Sequence, residues 1–291
     1  MTTISPAMAL HGGAGHLRGR DYQRELVHMR ALVEAGRDRL MAGAPALDVV
    51  VETVAALEAS GLYVAGRGAS PNSAGHYQLD AALMDGPGRR AGAVAALEGF
   101  ISPIAVARAI MESTPHVMLV GEGAADFART LGLAPIIDPK AWYSHAGGVR
   151  GEAAAELASG TVGCVALDRS GALAAATSTA GVFGKAHGRV GDSPIPGAGV
   201  WADGEAAVSC TGAGEMFIRA AVAAQVAFRI RFGGQPLDVA AVAALDEARA
   251  LGGEGGLIAV ARDGAIAMPY TSDGMKRAAL LADGTIVCEA L

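Results

Sequence analysis

The sequence predicts an α/β protein in which two antiparallel or mixed sheets lie face to face, with pairs of helices outside. Three observations lead there. Strand-patterned segments come as adjacent hairpins, helical segments come as consecutive pairs, and strict strand–helix alternation is missing, which argues against a doubly wound sheet. The composition agrees: 41 glycines in 291 residues, with aromatics at only 4%, suit closely packed layers and many tight turns.

Residues 7–10 read as a short buried strand, broken at once by His11-Gly12-Gly13-Ala14-Gly15. That loop lacks the spacing of a phosphate-binding fingerprint, so nucleotide binding is set aside and His11 is taken as a structural residue. Helices follow at about 22–41 and 46–59; in the second, Val49, Val50, Thr53, Val54 and Leu57 recur at helical spacing, and Gly61 ends it. Gly61 to Gly75 is too rich in Gly, Ser, Asn and Pro for a regular element. Strand pattern returns at 77–84, closes at Asp85-Gly86 and is answered by a second strand at about 91–98. Pro103 opens a helix to about Met111, residues 116–120 form a short strand, and 122–131 a helix.

Residues 136–160 have mixed polarity and no sustained period, and read as an exposed connector between two halves, anchored by Trp142 and Tyr143. The second half begins with strands at 162–167 and 172–177, joined by the tight turn Asp168-Arg169-Ser170-Gly171. A strand at about 205–211, helices at 216–229 and 236–248, and strands near 257–262 and 265–269 follow. A turn-rich TSDGMKRA segment and a strand near 284–288 complete the chain.

A net charge of -6 without any Lys/Arg block argues against nucleic acid and anionic membranes as partners. The three cysteines, Cys164, Cys210 and Cys288, are odd in number and lack metal-like spacing, which points to a reducing compartment. The N-terminal stretch has no basic n-region, and no uncharged apolar run of about 18 residues reads as a membrane span. A cytoplasmic protein is expected. Zinc spacing, HExxH, an EF-hand loop and GxSxG are all missing from the sequence.

What remains is threonine chemistry. In a 162–167/172–177 hairpin, Thr177-Ser178-Thr179 lie beside Thr161, and the glycine-punctuated loop beyond carries Lys185, His187, Arg189 and Asp192. Hydroxyls facing a fixed cation and anion suit a small polar substrate. A threonine hydroxyl needs a base within reach, and an α-amine, titrating near 7.7–8.0, can be that base when Thr begins a chain. Thr161 lies mid-sequence, so this requires a cut at Gly160–Thr161. On the residues alone an ordinary hairpin stays the competing reading.

The chain resembles the type 2 (plant-type) L-asparaginase/isoaspartyl peptidase family of N-terminal-nucleophile hydrolases over nearly its whole length. The resemblance rests on His11-Gly12-Gly13-Ala14-Gly15, LDAALMDG at 79–86, HVMLVGEGA at 116–124, GTVGCVALDRSGALAAATSTAG at 160–181, GRVGDSPIPGAG at 188–199, SCTGAGE at 209–215 and MPYTSDGMKRA at 268–278. It implies an αββα four-layer sandwich, made as one precursor of residues 1–291 that cuts itself into an α chain, 1–160, and a β chain, 161–291. The two chains stay associated and pair into an (αβ)₂ assembly.

The resemblance further implies that Thr161 is the nucleophile and that Thr179 orients it. Arg189 grips the substrate α-carboxylate and Asp192 accepts its α-amine. Thr211 and the Gly212 amide form the oxyanion hole, and Gly214 helps to hold the amine. The implied substrates are L-asparagine and β-aspartyl dipeptides, with no required cofactor. Leu57, Glu58 and Tyr63 resemble the family's structural sodium-binding loop. There are departures: Val64 stands where the family commonly has Asn, Ala213 replaces a residue that is often polar, and Thr271 stands where Asn is frequent. Two alternatives stay open, a glycosylasparaginase-like amidase with more room on the leaving-group side, and an unprocessed binding or scaffold protein.

Overall fold

The computed structural model describes residues 4–17, 19–144 and 160–291; most of the expected connector, 145–159, lies outside them. The first half contains β1 (Ala7–Ala14), α1 (Gln23–Met41), α2 (Ala46–Ser60), β2 (Leu79–Asp85), β3 (Arg90–Leu97), α3 (Pro103–Ser113), β4 (Met118–Val120), α4 (Gly121–Thr130) and the short α5 (Pro139–Trp142). The second half contains β5 (Val162–Leu167), β6 (Leu173–Thr179), β7 (Val200–Ala202), β8 (Ala206–Gly212), α6 (Gly214–Ala220), α7 (Val222–Gly233) and α8 (Leu237–Ala250). It ends with β9 (Gly255–Ala261), β10 (Ile266–Ala267), β11 (Met275–Leu280) and β12 (Ile286–Glu289).

Among the described residues these strands form two sheets, ordered β12-β11-β1-β5-β6-β2-β3-β4 and β10-β9-β8-β7. Every pairing is antiparallel except that of β3 with β4. The two-residue period of the strands decides the layers. Met8, Leu10, Ala81, Leu83, Cys164 and Ala166 pack with residues of α1, α2 and α3. Their neighbours Ala7, Ala9, Ala82, Met84, Val165 and Leu167 turn the other way and meet Val200, Ala207, Ile258 and Val260 of the small sheet. On its far side Val208, Cys210 and Leu257 pack with Phe217, Val226, Ala241 and Leu245. The result is the helix–sheet–sheet–helix sandwich that the resemblance implied.

The short residues expected between layers are where close approach needs them. A Cβ at Gly36 of α1 would lie 2.5 Å from the Met8 sulfur, so that glycine lets the helix sit down on β1. Gly61, at φ 70°, closes α2 as a left-handed cap.

Three expectations need correction. β1 does not stop before His11 but runs on to Ala14, its register shifting between His11 and Ala14 where Gly13 takes φ 101°. The helix expected over 216–229 is two helices, because Ala221 adopts φ 50° between them. Only the first part of TSDGMKRA is a turn; from Met275 the chain forms β11, paired to β1. Its Lys276 and Arg277 are both buried, with Lys276 over the Tyr22 ring and Arg277 paired to Glu289. The strand β7 went unforeseen, being only three residues long.

The halves interleave. β1 lies between β5 and β11, and β6 lies between β5 and β2, so the first half supplies strands inside the sheet the second half builds. The start of the connector is anchored as expected: Tyr143 stacks on Tyr77 with ring centroids 3.9 Å apart, and Arg67 lies over the Trp142 ring.

Candidate active site

The site is set by the β5–β6 hairpin. Its register pairs Val162 with Ser178, which brings the residue before β5, Thr161, beside the last residue of β6, Thr179. Thr161 Oγ1 donates to Thr179 Oγ1 at 3.1 Å, and Thr179 Oγ1 also accepts the Gly181 N–H at 2.9 Å. Both threonines are buried.

Behind Thr161 lies a hydrogen-bond chain that sequence reasoning missed. His11 Nδ1 is 3.0 Å from the Thr161 carbonyl oxygen and Nε2 is 2.9 Å from Ser209 Oγ, which is 2.7 Å from Thr177 Oγ1. Burial pushes the His11 pKa down to about 3, so the ring is neutral and carries one proton. That proton must sit on Nδ1, because a carbonyl can only accept. Nε2 then accepts from Ser209, while Thr177 Oγ1, 2.7 Å from Ser209 Oγ, donates to the Gly199 carbonyl at 3.1 Å. The contacts thus link β6 and β8 to His11 of β1 and end on the backbone of Thr161. His11, taken from sequence as structural, holds the candidate nucleophile's main chain.

The predicted substrate groups gather on the loop after β6. Asp192 is buried, and burial raises its pKa to about 7; its Oδ2 has no hydrogen-bond partner among the described residues. Arg189 Nε and Nη2 donate to the two carboxylate oxygens of Glu215 at 2.9 and 3.0 Å, which holds the Glu215 pKa below its usual value. Glu215 was not predicted as a site residue, although it closes the SCTGAGE motif. Gly214 lies between clamp and carboxylate: a Cβ there would be 2.9 Å from Arg189 Nη2 and 3.0 Å from Asp192 Oδ1. The predicted Thr211 is fully buried at the end of β8, and its Oγ1 accepts the Ala14 N–H at 3.0 Å. Its own proton is thereby turned away from Ala14. Gly212, at φ 148°, follows it.

Lys185 and His187 do not join this cluster as ligands. Lys185 is buried, its Nζ donating to the Gln78 carbonyl at 2.9 Å and lying 3.7 Å from Asp80 Oδ2. It braces the loop. The side chain of Gln78 braces it further on, accepting the Gly188 N–H at 2.9 Å. His187 is exposed on the outer side of that loop.

The predicted cation loop offers backbone oxygens. A Cβ at Gly66 would lie 2.5 Å from the Glu58 oxygen, and one at Gly68 would lie 2.0 Å from that of Tyr63 and 3.3 Å from that of Gly61. The Leu57 carbonyl accepts from Ser60 Oγ at 2.8 Å. Neutral, hard oxygens turned toward positions that only glycine leaves open are the donor chemistry of an alkali or alkaline-earth ion.

A buried threonine pair, with a buried carboxylate and an arginine beside it, can present a polar α-amino acid head to a hydroxyl. Comparison with known proteins agrees. A family model described as Asparaginase matches residues 4–147 and 143–288. The isoaspartyl peptidase of Salmonella typhimurium is 44% identical, covering 93% of this chain and 94% of the relative. That of Escherichia coli is 43% identical, covering 93% and 91%. The plant-type L-asparaginase of Pyrobaculum calidifontis is 46% identical over 75% of this chain and 76% of its own. The chain belongs to the plant-type asparaginase/isoaspartyl peptidase family.

Against that family the departures can now be placed. Val64 packs on Gly160, whose Cβ, if it had one, would lie 2.5 Å from Val64 Cγ2, and the Val64 carbonyl accepts the Ala180 N–H at 2.9 Å. It therefore covers the peptide before Thr161. Ala213 precedes α6, its N–H bonded to the Glu254 carbonyl at 2.9 Å, and the Thr271 hydroxyl accepts the Gly255 N–H at 3.2 Å.

The hydrogen-bond chain through His11 depends on Gly163, where a Cβ would stand 1.9 Å from Ser209 Oγ and 2.5 Å from His11 Nε2. Gly163→Ala should cost about 1–3 kcal/mol of stability by overpacking. Adding Ser209→Ala removes the atom struck first and should recover part of that loss. Denaturant melts of the four proteins in the cycle check this; strictly additive effects would refute the contact.

Proposed function

We propose that the protein is an autoprocessed threonine amidohydrolase that cleaves the β-amide of L-asparagine and of β-aspartyl dipeptides. The observation that carries the reading is the pairing of Thr161 with Thr179 beside Asp192 and Arg189. The names of the relatives support the substrate class, being isoaspartyl peptidases and a plant-type L-asparaginase.

In this mechanism the chain first cuts itself between Gly160 and Thr161, giving Thr161 a free α-amine. Arg189 takes the substrate α-carboxylate on guanidinium N–H groups, a bidentate grip that lysine could not supply. Asp192 takes the α-ammonium, which satisfies the oxygen that has no partner among the described residues. The neutral amine of Thr161 accepts the hydroxyl proton as Oγ1 attacks the β-carbonyl carbon. The resulting oxyanion is held by the Thr211 hydroxyl and the Gly212 N–H; one such donor is worth about 3 kcal/mol. Collapse breaks the C–N bond and the proton passes to the departing ammonia or amine. Water then attacks the β-aspartyl ester, its proton taken by the same amine and returned to Thr161 Oγ1 as the acyl–oxygen bond breaks, and aspartate leaves.

The reading includes an (αβ)₂ assembly and a cytoplasmic setting, the latter supported by three free cysteines. The reading has neither nucleic acid nor membrane as a partner, in keeping with a net charge of -6 without a Lys/Arg block. No cofactor is required for the chemistry. A Na⁺ would be held by the carbonyls of Leu57, Glu58 and Tyr63, steadying the loop that covers Gly160.

Purified protein should therefore resolve by intact mass into residues 1–160 and 161–291. The pieces should elute together at the mass of two precursors and separate only in denaturant. Thr161→Ala should abolish both the cut and the amidase activity, and Thr161→Ser should keep some of each. A new N-terminus elsewhere, or turnover by uncut Thr161→Ala protein, would sink the mechanism.

Asp192 gives a pH dependence. With its pKa raised to about 7 by burial, it is increasingly protonated below that value and cannot pair with the ammonium. KM for L-asparagine should fall as pH rises from 6 to 8, by at most about tenfold per unit below pH 7. Asp192→Asn should raise KM and flatten that slope; an unchanged slope would assign it to another group.

For the cation, the thermal midpoint should rise saturably with Na⁺ when ionic strength is held constant with choline. Identical melting in the two salts would remove Na⁺ from the reading.

A further inference from the structure

We propose that His76, Glu98 and His187 form a surface site for one divalent transition-metal ion, with Zn²⁺ the best match. No pair of these residues has metal-ligand spacing in sequence; the fold brings them together from three separate segments. Among the described residues they are the one cluster of three such side chains whose ligand atoms all lie within 4.8 Å of one another. His76 Nδ1 is already 3.1 Å from Glu98 Oε2, and the two imidazole rings are 5.3 Å apart between centroids.

Two imidazoles and a carboxylate suit zinc by ligand type, with solvent completing a tetrahedral shell. Bonds of about 2.0–2.2 Å would require the donor atoms to draw in to roughly 3.3 Å of one another, a rotation open to exposed side chains. Calcium and magnesium, which favour all-oxygen shells, are poorly served by this set.

The backbone beneath the three residues is fixed, which favours a built site over chance proximity. Asn72 Oδ1 accepts the His76 N–H at 3.0 Å, and the Asn72 N–H donates to the His76 carbonyl at 2.8 Å. The Gln78 side-chain oxygen accepts both from Asn72 Nδ2, at 3.1 Å, and from the N–H of Gly188, next to His187. The Ser73 N–H donates to the Lys185 carbonyl at 2.8 Å, stitching the two loops again. Glu98 follows β3, which is tied to the same region by Asp80 Oδ1 accepting the Ala96 N–H at 2.7 Å.

The site would clamp the Gly181–Gly191 loop from outside, two residues from Arg189. Metal occupancy would thus stiffen the segment that carries the arginine.

The test uses Zn²⁺ alone with the full protein at pH 7.5. Competition with a chromogenic chelator should show one equivalent bound, and Zn²⁺ should raise the thermal midpoint. His187→Ala and His76→Gln should each weaken binding by roughly tenfold or more and abolish the midpoint shift, as loss of a ligand demands. Melting of the metal-free variants within a degree or two of the parent would show that the folds are intact. A variant that melts lower is replaced by Glu98→Gln, which keeps the shape of the side chain and should also weaken binding. No saturable binding by the parent, or binding that survives both histidine substitutions, would overturn the proposal.

Discussion

The whole site depends on the register of one hairpin. Were β5 and β6 paired one residue out of step, Thr161 would face a different neighbour, and every side chain of one strand would change sides of the sheet. Several constraints forbid that slip. Asp168 Oδ1 accepts from the Ser170 and Ala172 N–H groups, so the turn has one geometry, while its Oδ2 accepts the Ala46 N–H at the start of α2. The alternation of Cys164 and Ala166 against Val165 and Leu167 then assigns one face to the helices and the other to the small sheet. The strand β1 adds a second lock, since its own register with β5 sets His11 opposite Gly163.

Around that frame the protein keeps several ionisable groups away from water, and the reasons differ. His11 is buried and neutral, so its imidazole can serve as a directed donor without the cost of a buried charge. Lys185 and Asp80 are buried against each other, and burial moves the pKa of the lysine down and that of the aspartate up, each toward its neutral form. Their proximity is better understood as loop bracing than as catalysis, because Lys185 Nζ is engaged by the Gln78 carbonyl. Asp192 is the exception. It is buried with one oxygen that has no hydrogen-bond partner among the described residues, an arrangement that weakens the fold unless a cation arrives. In the proposed reaction that cation is the substrate's ammonium.

How much of this could be read from the sequence follows from the range of each interaction. Hairpins, helix ends and the Thr161–Thr179 pairing are local, fixed by turn residues and by spacing within about twenty positions, and they were legible. The roles of Arg189, Asp192 and Thr211 came from motif resemblance, since nothing in their local pattern separates a substrate ligand from a surface charge or a loop cap. What escaped were contacts across long stretches of chain: His11 with Ser209, Glu215 with Arg189, and the His76–Glu98–His187 group. The strand β11 escaped for another reason. Lys276 and Arg277 look like solvated charges until one knows that an aromatic ring and a facing glutamate wait for them.

The glycines complete the argument, because they mark where the backbone or a ligand must come close. Gly163 admits His11 and Ser209 to the back of β5, Gly160 admits Val64 over the peptide before Thr161, and Gly214 leaves open the space between Arg189 and Asp192. Each lies within one step of a group the proposed chemistry uses, and at each a methyl group would collide with a named atom rather than merely strain the chain. Val64 is the informative case. Where the resemblance leads one to expect asparagine, this chain sets a branched apolar side chain directly against Gly160. Asparagine there could offer an amide to the neighbouring peptide, whereas valine can act only by shape and by excluding water. In the proposed self-cleavage, the polar contacts around Thr161 lie elsewhere: Thr179 meets its hydroxyl, and His11 holds its own carbonyl one peptide beyond the cut.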